Sequence, residues 1–175
     1  MTDSTVRSWE EPGNAATRHP EYVASVPMES VDLGGVSLTA PLGSITYTKG
    51  TYGEMWQWIG KGNSLISLVV AVRPGAQESV DGVRHRLLAE SDRVSAPTQS
   101  PSDRERLRPE SVDVPGAIAA FKVQVDGTRE GLQLHNAVLV ASDSVATCLV
   151  HAAVTDTEDG RRLASSLLSS LQLLG

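Results

Sequence analysis

An α+β domain built on an antiparallel sheet of about six to seven strands, with helices flanking it, is what this sequence predicts, on three observations. Short runs rich in Val, Thr and aromatic residues recur between breaks marked by Gly and Pro, as strands between turns do. Two other stretches place apolar residues at helical spacing. About a quarter of the 175 residues are Leu, Ile, Val or Phe, above the roughly 20% below which chains tend toward disorder, so a real core is expected. The length suits one domain.

Residues 1–34 are polar, acidic and irregular, with Pro12, Pro20 and Pro27, and read as an N-terminal arm. Such a stretch buries too little apolar surface to offset its ordering entropy. Trp9, Tyr22 and Val23 could tack it onto the domain, which then spans 35–175. From Gly35 the runs GVSLTAP, SITYTK, EMWQWI and SLISLVVAV (Ser64 to Val72) predict a meander, with Gly50, Gly53, Gly60 and Gly62 at its turns. Pro74-Gly75 ends it. Ser79 then caps a helix over 79–92 whose Val80, Val83, Leu87 and Leu88 share one stripe. Residues 94–116 carry four prolines and no period, which suggests a functional or mobile loop. Three further strands follow, AIAAFKVQVD, GLQLHNAVLVA and VATCLVHAAV, with turns placed near Asp126-Gly127 and at Ser142-Asp143-Ser144. Asp156 or Thr157 opens a closing helix to about residue 171, with Leu163, Leu167, Leu168 and Leu171 in line.

Those turns imply a register. Pairing Ala141 with Val145 and Val125 with Leu132 keeps one face apolar, from Phe121 and Val123 through Val138 and Val140 to Cys148 and Val150. The opposite face then gathers Lys122, Gln124, Gln133, His135 and His151, with His135 beside His151.

The segments GVSLTAPLG (35–43), VPGAIAAFKVQVDG (114–127) and VLVASDSVATCLVHAAV, set in this order of meander, helix, loop, meander and helix, resemble the PsbP-like fold family. That superfamily includes the extrinsic photosystem subunit, the Ran-binding Mog proteins and actinobacterial lipoproteins of the LpqN type. The resemblance implies an α/β/α sandwich over roughly residues 35–173, a bacterial, actinobacterial-like source, and binding or scaffolding rather than catalysis. The chain departs from the lipoproteins in showing neither a signal peptide nor a lipobox Cys, so a cytoplasmic location is expected.

Charge and motifs narrow the function. A net charge of −6 argues against nucleic acid as a partner, since phosphate binding rests on clustered Lys and Arg. No apolar run approaches the ~18 residues of a membrane span. A single Cys, Cys148, excludes a disulfide framework and a Cys-based zinc site. No nucleophile elbow, H-E-x-x-H, P-loop or G-x-G-x-x-G occurs, so neither an enzyme nor a cofactor is expected. The leading expectation is therefore a non-catalytic interaction or scaffold domain with an unidentified protein partner. Its candidate surface is Trp56 and Trp58 with Tyr47 and Tyr52, plus Arg104, Arg106 and Arg108 of the mixed-charge run DRERLRPE, although core beneath a helix is the commoner place for such aromatics. The alternative is a small-molecule-binding domain whose pocket is lined by Lys122, Gln124, Gln133, His135 and His151. Opposed imidazoles could also share a metal or sense pH, but Lys122 beside them opposes a cation, and no metal is expected. Open sheet edges leave room for a homodimer.

Overall fold

Most regular structure falls where the runs predict it, and two turns decide which residues share a face. The computed structural model describes residues 28–41, 45–51, 53–60, 64–75, 79–95 and 108–175. In chain order these form β1 (Met28–Asp32), β2 (Val36–Pro41), β3 (Ile45–Gly50), β4 (Gly53–Ile59), β5 (Leu65–Pro74), α1 (Val80–Ser95), β6 (Glu110–Ser111), β7 (Ala119–Arg129), β8 (Leu132–Ser142), β9 (Ala146–Thr155), α2 (Glu158–Ser169) and β10 (Gln172–Leu173). One antiparallel sheet of seven strands runs β3-β4-β5-β9-β8-β7-β6, and a smaller sheet of three runs β1-β2-β10. The class is α+β, as the sequence predicts. β1 falls inside the stretch read as an arm, and most of the proline-rich loop lies outside the described residues.

Each helix starts at the predicted cap. The Ser79 hydroxyl oxygen accepts the Gly82 N–H at 3.0 Å, and Thr157 Oγ1 accepts the Gly160 N–H at 3.0 Å. Such bonds satisfy amide groups that the first helical turn leaves without partners. Glu158 and Asp159 add favourable charge at the N-terminus of α2. α1 buries Val83 and Leu87 against Phe121, Val123, Val125, Val138 and Val140 on one face of the large sheet. α2 buries Ala164, Leu167 and Leu168 on the other face, together with Leu38 of the small sheet and Val70, Val150 and Ala152. The middle of the large sheet is thus covered from both sides, and β8 is buried without interruption from Leu134 to Ser142.

Both hairpins depart from the expected register. β7 continues through Asp126-Gly127 and turns at Glu130-Gly131, where Arg129 pairs with Leu132. Positive φ at both turn residues, 52° and 79°, is what a two-residue primed turn requires. Val125 therefore faces Asn136 rather than Leu132, an even shift that leaves each residue on its predicted side. The second correction is odd. Asp143 accepts the N–H groups of Val145 and Ala146 at 2.7 and 2.8 Å, so the loop closes with Ser142 opposite Thr147 instead of Ala141 opposite Val145. An odd shift turns every β9 side chain over. Cys148, Val150 and Ala152 pack toward α2, and His151 emerges on the α1 side.

Candidate functional site

β5 reads as an almost unbroken apolar run, which puts apolar side chains on both of its faces. Leu68, Val70 and Val72 enter the core on the α2 side. Val69 and Ala71 point the opposite way, toward the face that α1 shares. But α1 packs on β7 and β8, so among the described residues the strip formed by β4, β5 and β9 beside it is left as a groove. The groove holds about 620 Å³, within the range of small-ligand sites, and Met55, Val69, Ala71 and Leu149 form its apolar floor. Thr48 and Thr51 border it from the β3 side, and Arg73, Thr147, Arg86 and Glu90 supply its polar margin. Gly53 is required where β4 lies against β5 at the groove, because its φ is +143° and a Cβ there would run into the Val72 carbonyl.

On the other face, at the end of the sheet nearest the start of α2, a charged cluster forms. His135 is 2% exposed and its Nδ1 lies 2.8 Å from Asp126 Oδ1. Arg161 of α2 donates to Asp156 at 2.6 Å and to both oxygens of Asp126 at 3.2 Å. The Asp126, His135 and Asp156 ligand atoms lie within 4.8 Å of one another, a spacing that could suit a cation. The Arg161 guanidinium already serves that charge. The cluster ties α2 to the β7–β8 hairpin. Burial pushes the Asp126 carboxyl up, but the hydrogen bond from His135 and the charge of Arg161 outweigh it and hold the group below its ordinary 3.8. A depressed native pKa adds stability above the unfolded value and loses it as pH falls through the native value. Between about pH 5 and pH 2 the urea midpoint of the wild type should fall more steeply than that of Asp126→Asn, and equal slopes would remove the cluster from the acid response.

The residues singled out by sequence are dispersed. Lys122, Gln124, Gln133 and His135 do share the α2 side of β7 and β8. Lys122 faces Leu139 and lies 4.0 Å from Glu110, and Gln124 and Gln133 are exposed. His151 stands on the opposite face, where its Nε2 donates to Asn136 Oδ1 at 2.9 Å, so the expected His135–His151 pair does not form. Trp58 is 2% exposed and belongs to the core, correcting its place in a partner surface. Trp56 packs half-buried on the same core, with the ring of Tyr47 5.3 Å away. Tyr47 is half exposed, and the Glu54 carboxylate that accepts its hydroxyl at 2.7 Å raises its pKa above the ordinary 10.0. Arg108 is exposed, whereas Tyr52, Arg104 and Arg106 lie outside the described residues. Cys148 is fully buried, which pushes its thiol up to about 12 and leaves it unreactive. The groove itself escapes a sequence reading. Its one signal is that β5 is apolar on both faces while the chain offers few helices to cover them.

No protein-family model and no curated protein matches the sequence. Among solved structures, the chain is similar to LpqN of Mycobacterium tuberculosis, a protein described as involved in cell envelope biogenesis. The TM-score is 0.50 at 10% identity, over 89% of this chain and 96% of that one. A Pseudomonas aeruginosa protein of unknown function, PA94, described as a putative regulator, aligns with a TM-score of 0.38 at 12% identity over 79% of this chain and 90% of that one. Among the described residues no helix is long and apolar enough to cross a membrane. What the chain shares with LpqN is its architecture: it has an LpqN-like fold.

Proposed function

We propose that this protein is a non-catalytic accessory domain of the PsbP-like group that works by binding, and that it takes its ligand in the groove beside α1. The observation carrying this is the apolar strip of Met55, Val69, Ala71 and Leu149, which no described element covers although the neighbouring β7 and β8 are packed on both faces. Exposing such a strip costs free energy unless something covers it in use. The likeness in fold to an envelope-biogenesis protein agrees with an accessory role. A cytoplasmic location stays part of the proposal, as does the absence of any nucleic-acid partner. A second reading, an adaptor for a protein partner, rests on half-exposed Tyr47 and on β3, an edge strand exposed along its whole length.

Ala71→Trp fills the groove from its floor and tests the first reading. Wild-type protein incubated with small-molecule extract of its host should gain several degrees in unfolding midpoint, and the variant, itself folded, should gain none. Equal behaviour of the two would overturn the groove, and capture of a protein through Tyr47→Ala-sensitive contacts alone would put the adaptor in its place.

A further inference from the structure

The edges of the two sheets are unequally protected. An edge strand presents a row of unpaired N–H and C=O groups, and proteins blunt it with charged side chains, Pro, bulges or a short length. Of the four described edges, β6 and β10 are two residues long, and β1 carries Glu29 and Asp32 in a chain whose net charge is −6. β3 has no such defence. Its six residues, Ile45 to Gly50, hold no Pro and no acid, keep unbroken register with β4, and are exposed throughout. Their one charge, Lys49, is matched within its own chain by Glu54 at 3.9 Å. A second copy of this acidic chain is repelled at the β1 edge and tolerated at β3.

The strand is also complementary to itself. When two copies of β3 lie antiparallel about a two-fold axis at Tyr47, Tyr47 meets the partner's Tyr47, Thr46 meets the partner's Thr48, and Lys49 meets the partner's Ile45. No like charges face each other. The Tyr47 ring lies 5.3 Å from that of Trp56, so the axis joins two such pairs into one aromatic row. A two-fold contact closes on itself, whereas joining β3 to the β6 of a further copy would build an open filament on a two-residue template.

We propose that β3 is the interface of a homodimer, in which two chains pair β3 against β3 about an axis at Tyr47 and their seven-stranded sheets run on as one. Residues paired across antiparallel strands share a face, so both grooves open on the same side of the joined sheet. The partner's Thr46 then stands beside Thr48 at the groove margin. Six residues a side is few beside the roughly 20–30 of a standard interface, so the dimer is reversible, with a Kd in the micromolar range.

Sedimentation velocity of the full chain from about 1 to 300 µM should show monomer passing into dimer. Tyr47→Lys and Tyr47→Glu each bring like charges together at the axis and should weaken association at least about tenfold, while an equimolar mixture of the two should regain it. Gln124→Lys, an added charge at an exposed site on β7, should leave the dimer unchanged. Every variant is first shown to keep the wild-type unfolding midpoint within a few degrees. If the Tyr47 variants fail that check, the Thr46→Lys/Thr48→Lys double variant opposes like charges at two pairs and should show the same loss. A chain still monomeric at about 300 µM, a dimer that these variants leave intact, or a mixture that associates no better than its components would each overturn the proposal. A β3 edge that takes a strand from a different protein while the chain alone stays monomeric would overturn it too.

Discussion

Leu167→Ala is expected to destabilise the protein by about 3–5 kcal/mol, measured by urea denaturation. Leu167 is fully buried and joins α2 to the sheet and to Leu38 of the small sheet, so its removal opens a cavity among elements that each hold the others in place. A fully buried leucine loses its transfer free energy and leaves a void that rigid strands cannot collapse to fill. For a domain of this size the loss corresponds to a fall of about 10 °C in melting temperature. Leu88, on the exposed side of α1, is the contrast: Leu88→Ala should cost about 1 kcal/mol or less. If the two substitutions cost the same, the α2 side is not the principal core.

Gly116→Ala should be comparably damaging, at about 3 kcal/mol or more, although it adds a single methyl group. Gly116 has φ +84°, and a Cβ there would run into the carbonyl oxygen of Leu173. The same turn holds β10, because Pro115 O accepts the Leu173 N–H at 2.8 Å. Leu173 in turn pairs with Val36 of β2, so a side chain at 116 would push β10 away and loosen the small sheet over the core. Gly75→Ala separates the two causes. Gly75 shares a positive φ of +100° but meets nothing within 4 Å, so it should cost only the conformational strain of about 1 kcal/mol. Equal losses at the two positions would show that the close approach to Leu173 is unimportant.

Where the elements lie is local information, and it was legible. Ser79 and Thr157 mark both helix starts, and apolar runs mark β2 to β5 and β7 to β9, whereas β6 falls in the stretch that reads as a loop. Which residues meet was harder to read. Asp126-Gly127 is a stronger turn signal than Glu130-Gly131, yet the strand runs through it because Asp126 finds His135 across the strand and Arg161 from α2. Arg161 lies 35 residues beyond Asp126, and no local rule connects them. The β8–β9 register hangs on one side chain: Asp143 takes two backbone amides and adds a residue to the turn. That odd shift carries His151 to the α1 face, away from His135. The aromatic cluster shows a similar limit, since a Trp pair on one strand face looks the same in sequence whether solvent or core lies above it. The groove depends on how far α1 reaches across the sheet, a tertiary quantity that periodicity does not carry.

The central claim is that the uncovered strip beside α1 is where this protein binds. Methyl-resolved NMR of the full chain, titrated with fractions of small-molecule extract from its host, reads that surface directly. The account predicts saturable shifts at the methyl groups of Met55, Val69, Ala71 and Leu149, with Val150 and Leu167 on the α2 side unmoved. Shifts gathered instead around Tyr47, Gln124 and Gln133, or no saturable shift in any fraction, would contradict it.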